Sequence, residues 1–333
     1  MNKDAELIFS QSLISYLANI NQATISRYIA QKGFNHIEKF GDKRKKYTLE
    51  VARQIFKKLL IHNLKPKIKT QVFFNFKGGT GKTSLCHQVS VMFAAFGFKV
   101  LVIDCDPQAH LSYSLGFNEN DDYPTLYDVI VNKVLMSDVI HYGVYCGLDV
   151  IPSNLSLTRL EAALNQMPNR EKMLSKTLEQ LKDNYDFIFI DTNPTISTLN
   201  RNATLAADML NIVCETQPYS LRGMEMLIQE LEYFSEVMDK KITYQIIPNK
   251  YESKTATSQE VLGALRHNYK EHVMESIVRK CEDFNISSKR KIPLFGFCNK
   301  KSIALEDIKD LTNQLLSKST ETINNQEKLD NAI

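Results

Sequence analysis

A glycine-rich segment at residues 77–84 constrains the fold of this chain more than any other feature. It is Lys77-Gly78-Gly79-Thr80-Gly81-Lys82-Thr83-Ser84, and it stands between an apolar run, Val72–Phe76, and a segment with helical periodicity. Glycines let backbone N–H groups close around phosphate oxygens, and a helix N-terminus behind them favours negative charge. A glycine- and lysine-rich surface turn is the alternative, but the strand before and the helix after favour a phosphate-binding loop. The general pattern GxxxxGK[ST] requires a glycine at position 76, which is Phe76 here, so the segment departs from that pattern.

Short apolar runs alternate with helical stretches from Gln71 onward. The candidate strands are Val72–Phe76, Val100–Ile103, Leu148–Ile151, Phe187–Ile190, Leu210–Cys214 and Ile242–Ile247. The clearest helical stretches are Leu85–Phe96, Leu174–Leu181 and Met224–Met238. This alternation predicts an α/β fold with a mostly parallel sheet and helices on both faces. Ligands of such sheets bind at the carboxyl ends of the strands.

Aspartates end two of the candidate strands. Asp104 and Asp106 follow Val100–Ile103, and Asp191 follows Phe187–Ile190. Asp104 and Asp106 are two residues apart and face the same side if the strand continues. Strand-ending aspartates are often only caps. Three of them beside a phosphate-binding loop instead indicate carboxylates that face a cation.

The segment 77–84 matches the deviant Walker A motif KGGxGK[ST], and here the chain resembles the ParA/MinD family of P-loop ATPases over about residues 71–316. The resemblance implies that ATP and Mg²⁺ are the cofactors. It also implies that Lys77 reaches the phosphates of a partner subunit in a dimer and that Lys82 reaches the β/γ-phosphates. The nucleotide contacts that it implies are Gly78, Gly79, Thr80, Gly81, Lys82, Thr83 and Ser84, with Pro248, Asn249 and Tyr251 forming the adenine pocket. Thr83 would bind Mg²⁺, Asp104 would support the ion or its waters, Asp191 would hold a metal-bound water, and Asp106 would polarise the attacking water.

The basic residues are concentrated at the N-terminus. The formal net charge is +3, yet residues 1–70 contain 14 basic and 5 acidic side chains. Two short helices around an Asn19–Asn21 turn would expose Gln22, Thr24, Ser26 and Arg27, as in a helix-turn-helix that meets base edges. The basic run Lys43-Arg44-Lys45-Lys46 would then form a wing along the phosphate backbone. The alternatives are a pair of helices without this function and a solvated or localisation-like basic loop.

This small N-terminal domain, predicted to be an all-α winged helix-turn-helix, resembles that of the longer ParA proteins of plasmid partition. The resemblance implies operator binding with autorepression, and a ParB-like centromere-binding partner that stimulates ATP hydrolysis. A second basic region, 263–301, has nine basic and four acidic residues. In the family this region binds DNA without sequence preference, and the candidates are Arg279, Lys280, Lys289, Arg290 and Lys291. Ordinary solvated helix faces are the alternative.

The sequence therefore divides into residues 1–65, a linker 66–70, the ATPase domain 71–316 and a polar flexible tail 317–333. No apolar run is long enough for a membrane span, and the N-terminus lacks the pattern of a signal peptide, so we expect a cytoplasmic, nucleoid-associated protein. The expected function is that of a partition ATPase. A nucleotide-gated transcription regulator and a MinD-like ATPase that positions cargo or division are the alternatives.

Overall fold

The computed structural model describes residues 3–4, 7–37, 45–118 and 121–323. Its N-terminal region contains two short strands and three helices. These are β1 (Ile8–Ser10), α1 (Gln11–Ala18), α2 (Gln22–Lys32), β2 (Lys46–Thr48) and α3 (Leu49–Leu59). The hydroxyl of Ser10 accepts from Leu13 N at 3.1 Å at the start of α1, and the side chain of Asn21 accepts from Ala23 N at 2.8 Å at the start of α2. Such side-chain caps satisfy amides that the first helical turn cannot pair.

A seven-stranded sheet forms the centre of the molecule. Its strands are β4 (Thr70–Phe74), β5 (Val100–Cys105), β6 (His141–Tyr145), β7 (Leu148–Ile151), β8 (Phe187–Thr192), β9 (Met209–Glu215) and β10 (Tyr244–Asn249). The spatial order is β10-β9-β4-β8-β5-β7-β6, and every pair is parallel except β6–β7. The predicted mostly parallel sheet is confirmed, including all six predicted strands. The sequence analysis missed β6, which is an antiparallel edge strand.

Helices cover both faces of the sheet. They are α4 (Lys82–Phe96), α5 (His110–Ser114), α6 (Leu126–Ile130), α7 (Met136–Val139), α8 (Ser156–Leu164), α9 (Met173–Leu178), α10 (Thr198–Ala206), α11 (Ser220–Met238), α12 (Ala256–Asn268), α13 (Asp283–Arg290), α14 (Leu294–Phe297) and α15 (Ile303–Ser319). Successive strand residues face opposite sides, so Phe73 packs with α4 and α15 while Val72 and Phe74 pack with α10 and α11. Within the described ranges, no helix is long and apolar enough to cross a membrane.

The N-terminal region packs directly on the body of the molecule, and its apolar residues join the core that contains α4. The ring of Phe56 lies 5.2 Å from that of Phe96, and the ring of Phe9 lies 5.6 Å from that of Phe295. The region is also not all-α, because β1 and β2 pair as antiparallel strands. The prediction of an all-α domain was therefore wrong, since three-residue strands are too short to leave a period-two pattern in the sequence.

The start of the predicted flexible tail is ordered and pairs with a strand at the predicted linker. Strand β3 (Leu64–Pro66) pairs antiparallel with β11 (Thr320–Thr322), which follows α15 directly. The amide N–H groups of Lys67 and Ile68 both donate to the carbonyl oxygen of Ser319. The first part of the predicted flexible tail is therefore ordered through its hydrogen bonds to residues 64–68. The rest of that tail, 324–333, lies outside the described residues.

Candidate active site

The phosphate-binding loop joins the end of β4 to the start of α4. Gly79 and Gly81 adopt left-handed φ angles of +74° and +94°. A Cβ atom on Gly81 would lie 2.3 Å from Nδ2 of Asn249, so only glycine fits there. Helix α4 begins at Lys82 without a side-chain cap, which leaves its first N–H groups directed at the loop. This is the local geometry that an anion at a helix N-terminus requires.

Lys82 extends from the first turn of α4 back into this loop. Its side chain is buried, and Nζ donates to the carbonyl oxygen of Lys77 at 3.3 Å. Burial lowers the pKa of Lys82, whereas the carboxylates of Asp191 and Asp106 favour the charged form. A partly desolvated ammonium group at this position fits a phosphate group, which would satisfy it better than one carbonyl does.

Thr83 and Asp191 form a hydrogen bond across the ends of α4 and β8, with 2.6 Å between Oγ1 and Oδ2. Asp191 is fully buried, and its Oδ1 has no hydrogen-bond partner among the described residues. Burial, together with the neighbouring Asp104, raises the pKa of Asp191 well above its ordinary value. An orphaned buried carboxylate oxygen beside a hydroxyl is the kind of hard oxygen pair that Mg²⁺ prefers. The oxygens of Thr83 and Asp191, the two residues predicted to bind Mg²⁺ here, therefore fit a magnesium ion. The ion would neutralise the buried charge of Asp191.

Asp104 lies directly opposite Asp191 in the register of β5 and β8. Its Oδ2 accepts from the amide and the hydroxyl of Ser112, at 2.9 and 2.7 Å, and its Oδ1 accepts from the amide of Asp106 at 3.0 Å. Burial raises the pKa of Asp104 to about 6, although these hydrogen bonds oppose the shift. Both oxygens thus hold the 106–112 loop in place, a role that the sequence analysis did not predict. Support of Mg²⁺ by Asp104 stays a prediction.

Asp106, the predicted water-polarising group, is buried and lines the cavity of the site. Its Oδ1 accepts from Gln108 N at 2.9 Å, and its side chain lines the same cavity as the phosphate-binding loop. The next residues turn sharply through Ala109, which has a φ of +55°. Asp106 is therefore held by its own loop and is available to the cavity.

A cavity of about 630 Å³ extends from the phosphate-binding loop and is large enough for a nucleotide. Asn249 lines it and donates Nδ2 to the carbonyl oxygen of Thr80 at 2.6 Å. Pro248 and Tyr251 are not among the residues that line it, and their backbones pair with residues 278–280. Adenine contacts of these two residues stay a prediction.

The far end of the cavity is formed by residues that the sequence analysis missed as nucleotide contacts. Cys281, Phe284 and Asn285 line it there, together with Tyr113 from α5. Phe284 and Tyr113 supply aromatic surface and Asn285 supplies an amide, a combination suited to a planar base. Nothing in the local sequence marks these residues, and Cys281, Phe284 and Asn285 lie about 200 positions from the loop, so only the fold brings them to it.

Lys77 stays within its own subunit in this structure. Its Nζ lies 2.7 Å from Oε2 of Glu215, at the end of β9. Glu215 was not predicted as a site residue, although it ends a buried strand as Asp191 does. The same argument that identified Asp191 could have found it.

The predicted DNA-contacting residues of α2 are largely on its outer face. Gln22, Thr24 and Arg27 are exposed, whereas Ser26 is half-buried and donates to Oε1 of Gln11 at 3.0 Å. In the predicted wing, Lys45 is exposed and Lys46 belongs to β2, while Lys43 and Arg44 lie outside the described residues. The structure thus gives a helix pair with a polar outer face, and DNA binding by it stays a prediction.

The second basic region divides into two parts. Arg279 is bound to both Asp307 and Glu306, and its hydrogen bonds to Asp307 raise its pKa above the ordinary value. Lys280 pairs with Glu252 at 3.1 Å, and both Arg279 and Lys280 line the nucleotide cavity. The guanidinium of Arg279 is thus already paired with two acids of its own chain, and a contact of Arg279 with DNA stays a prediction.

The remaining three candidates lie at the end of α13. Lys289 and Arg290 are exposed, with Arg290 stacked over the ring of Phe297. The ammonium group of Lys291 lies 3.8 Å from the ring centre of Tyr113, at the edge of the cavity. These residues stay candidates for phosphate contacts with DNA.

Comparison with known proteins shows the family of this chain. A family model described as an AAA domain matches residues 68–244. The chain is 32% identical over 249 residues to the cell division protein PomZ of Myxococcus xanthus, which covers 74% of this chain and 78% of that protein. It is 28% identical over 257 residues to the chromosome partitioning protein ParA of Caulobacter vibrioides, covering 76% and 93% of the two chains. The fold also matches that of a variant of McdA from Cyanothece in complex with ATP, with a TM-score of 0.69, 20% identity and coverage of 78% and 100%. The chain therefore belongs to the family of deviant Walker A ATPases that includes ParA, Soj, PomZ and McdA.

Proposed function

We propose that this chain is a partition ATPase that moves or positions DNA. ATP and Mg²⁺ bind at the loop 78–84, and two subunits then join through Lys77. The dimer binds DNA without sequence preference until a ParB-like partner stimulates hydrolysis. In the ADP state the outer face of α2 binds the operator and represses it. The protein acts in the cytoplasm, on the nucleoid.

The observation that carries this proposal is the position of Lys77. It stands at the rim of a site that fits Mg-ATP, with 46% of its side chain exposed. A lysine that served only its own nucleotide would be expected to turn into the cavity, as Lys82 does. The exposed side chain of Lys77 supports the proposed role, because an exposed lysine can reach the nucleotide of a second subunit.

ATP hydrolysis measured with DNA and with the adjacent gene product, separately and together, tests this proposal. Strong stimulation only by both together supports partition, and indifference to both contradicts it. Lys77→Ala is expected to bind ATP but to lose the ATP-dependent dimer and the stimulated hydrolysis. A Lys77→Ala protein that dimerises and hydrolyses ATP normally overturns the role of Lys77.

Operator binding is tested with point variants and not with a deletion. The N-terminal region shares a core with the ATPase body, and its deletion would expose Phe96 and Phe295. Gln22→Ala and Arg27→Ala change only exposed side chains of α2. Both are expected to weaken binding to the chain's own promoter DNA while ATP binding is unchanged. Normal operator binding by both variants excludes this face of α2.

A positioning ATPase without operator control is the second candidate. The relative of 32% identity is named a cell division protein, which favours this interpretation of the same ATP cycle. A nucleotide-gated transcription regulator is the third. Stimulation by a cargo-linked partner without any operator binding would favour positioning, and operator binding without stimulated hydrolysis would favour regulation.

A further inference from the structure

Glu215 binds two lysines at once, one with each carboxylate oxygen. Its Oε2 lies 2.7 Å from Nζ of Lys77, and its Oε1 lies 2.8 Å from Nζ of Lys250. The carboxylate side chain is only 11% exposed, whereas the two lysines are 46% and 40% exposed. A nearly buried acid is therefore shared between two cations that both reach solvent.

The two lysines are held at their backbones in different ways. The amide of Lys77 donates to Oδ1 of Asn75 at 2.9 Å, and Nδ2 of Asn75 donates to the carbonyl oxygen of Val213 at 2.7 Å. These bonds tie Lys77 to the strand that ends in Glu215. The backbone of Lys77 is therefore fixed, while its long side chain can still turn away from Glu215.

Lys250 is attached more firmly than Lys77. It has a left-handed backbone with a φ of +53°, and its Nζ also donates to the carbonyl oxygen of Gly79 in the phosphate-binding loop. If Lys77 leaves, Lys250 still neutralises Glu215. The departure of Lys77 therefore does not leave a buried carboxylate without a cation, which is the costly outcome for such a group.

We propose that Glu215 is a positioning residue that holds Lys77 inside its own subunit and releases it when a second nucleotide-loaded subunit arrives. This inference rests on the proposed role of Lys77 at the phosphates of the partner subunit. Glu215 then competes with those phosphates for the same ammonium group. The competition keeps the free chain from dimerising until a more strongly charged acceptor is present.

Removal of the carboxylate should release Lys77 early. Glu215→Gln is expected to tighten the ATP-dependent dimer by about tenfold, as the loss of one competing charge-assisted hydrogen bond predicts. The dimer dissociation constant is measured by analytical ultracentrifugation at saturating Mg-ATP. Under this condition a change in nucleotide affinity does not alter the measured constant. In the Lys77→Ala background, in which no ATP-dependent dimer is expected, the same change should not restore one. A dimer restored by Glu215→Gln in that background means that Glu215 does not act through Lys77 and overturns the inference.

A second readout needs no nucleotide. Amine acylation followed by mass spectrometry reports how free each lysine is. The acylation rate of Lys77 is expected to rise in Glu215→Gln and to return toward the wild-type value in Glu215→Asp. Glu230→Gln is the matched control, because it removes the carboxylate of another ion pair, with Arg201, on the outer side of α11. Equal Lys77 rates in wild type and Glu215→Gln overturn the inference.

The two proposals fail differently. If wild type forms no ATP-dependent dimer, the proposed function falls and the inference falls with it. If the wild-type dimer requires Lys77 but Glu215→Gln leaves both the dimer and the acylation rate unchanged, only the inference falls.

Discussion

At the scale of single residues, we expect the buried carboxylate of Asp191 to make nucleotide binding at this site dependent on a cation. Asp191→Asn removes a charge that is fully buried and has one oxygen without a partner among the described residues. We expect the nucleotide-free variant to melt at a higher temperature, while Mg²⁺ no longer increases its affinity for ATP. Calorimetric titration with ATP, in Mg²⁺ and in EDTA, measures this difference. Asp138→Asn, at an exposed acid, is the control and should keep the full Mg²⁺ effect; a similar result for Asp191→Asn contradicts the prediction.

His87 contributes to the decrease in the free energy of unfolding at acid pH. It lies in the interior of α4, and burial lowers its pKa from 6.5 to about 3. Between those values the unfolded chain binds a proton that the folded chain does not, so this contribution is present above pH 6.5 and is lost as the pH falls toward 3. His87→Leu should remove a slope of up to about 1.4 kcal/mol per pH unit in the free energy of unfolding.

Urea unfolding of both proteins in EDTA, from about pH 7 to about pH 5, isolates this effect. Asp104 and Asp191 titrate with opposite sign in overlapping windows, but they are present in both proteins and cancel in the difference. Parallel pH profiles for wild type and His87→Leu would show that His87 does not titrate as described.

At the scale of elements, the contact between α3 and α4 fixes the N-terminal region on the nucleotide-binding helix. The guanidinium of Arg53, on α3, donates to the carbonyl oxygens of Ala94, Gly97 and Phe98 at the end of α4. A cation at the C-terminus of a helix is favourable, because the last carbonyl groups of a helix carry partial negative charge and lack the partners of those in the helix interior.

Arg53→Ala should therefore lower the free energy of unfolding by about 1.5–3 kcal/mol, the range for hydrogen bonds that involve a charged group. Urea denaturation of the nucleotide-free protein measures this change. Arg27→Ala, at an exposed arginine of α2, is the control and should have little effect. Equal stability of the two variants would show that the α3–α4 contact does not depend on Arg53.

At the scale of the whole molecule, the pairing of strands β3 and β11 joins segments that lie more than 250 residues apart in the sequence. Leu64 pairs with Thr322 and Pro66 with Thr320, and Nε2 of Gln71 donates to the hydroxyl of Ser319 at 2.8 Å. This pairing lies directly before the strand that leads into the phosphate-binding loop. The segment from 317 to 322 is thus part of the folded body.

A chain that ends at Leu316 should have a lower melting temperature, because it loses β11 and the carbonyl oxygen of Ser319. A chain that ends at Ile323 retains every described contact of β11 and should melt like the full-length protein. Differential scanning calorimetry of the three proteins provides the comparison. Identical melting of the Leu316 and Ile323 chains would contradict a structural role for β11.

The sequence by itself determined the parallel sheet and the phosphate-binding loop of the site. Strands buried on both faces appear as continuous apolar runs, and the glycines, Lys82 and Thr83 are consecutive in the chain, so local chemistry was enough to identify them. Asp191 was found for the same reason, because an acid at the end of a buried strand is visible without knowing its neighbours.

Only the tertiary structure decided which distant residues complete the site and how the ends of the chain are used. Phe284 and Asn285 reach the cavity, and Glu215 reaches Lys77, through contacts between residues more than a hundred positions apart. Likewise, Arg279 was predicted as a DNA contact from its charge, yet the position of α15 gives it Asp307 as a partner. The physical reason is that the charge and polarity of a side chain are known from the residue type alone. Its interaction partner depends instead on how elements that are distant in the sequence pack together.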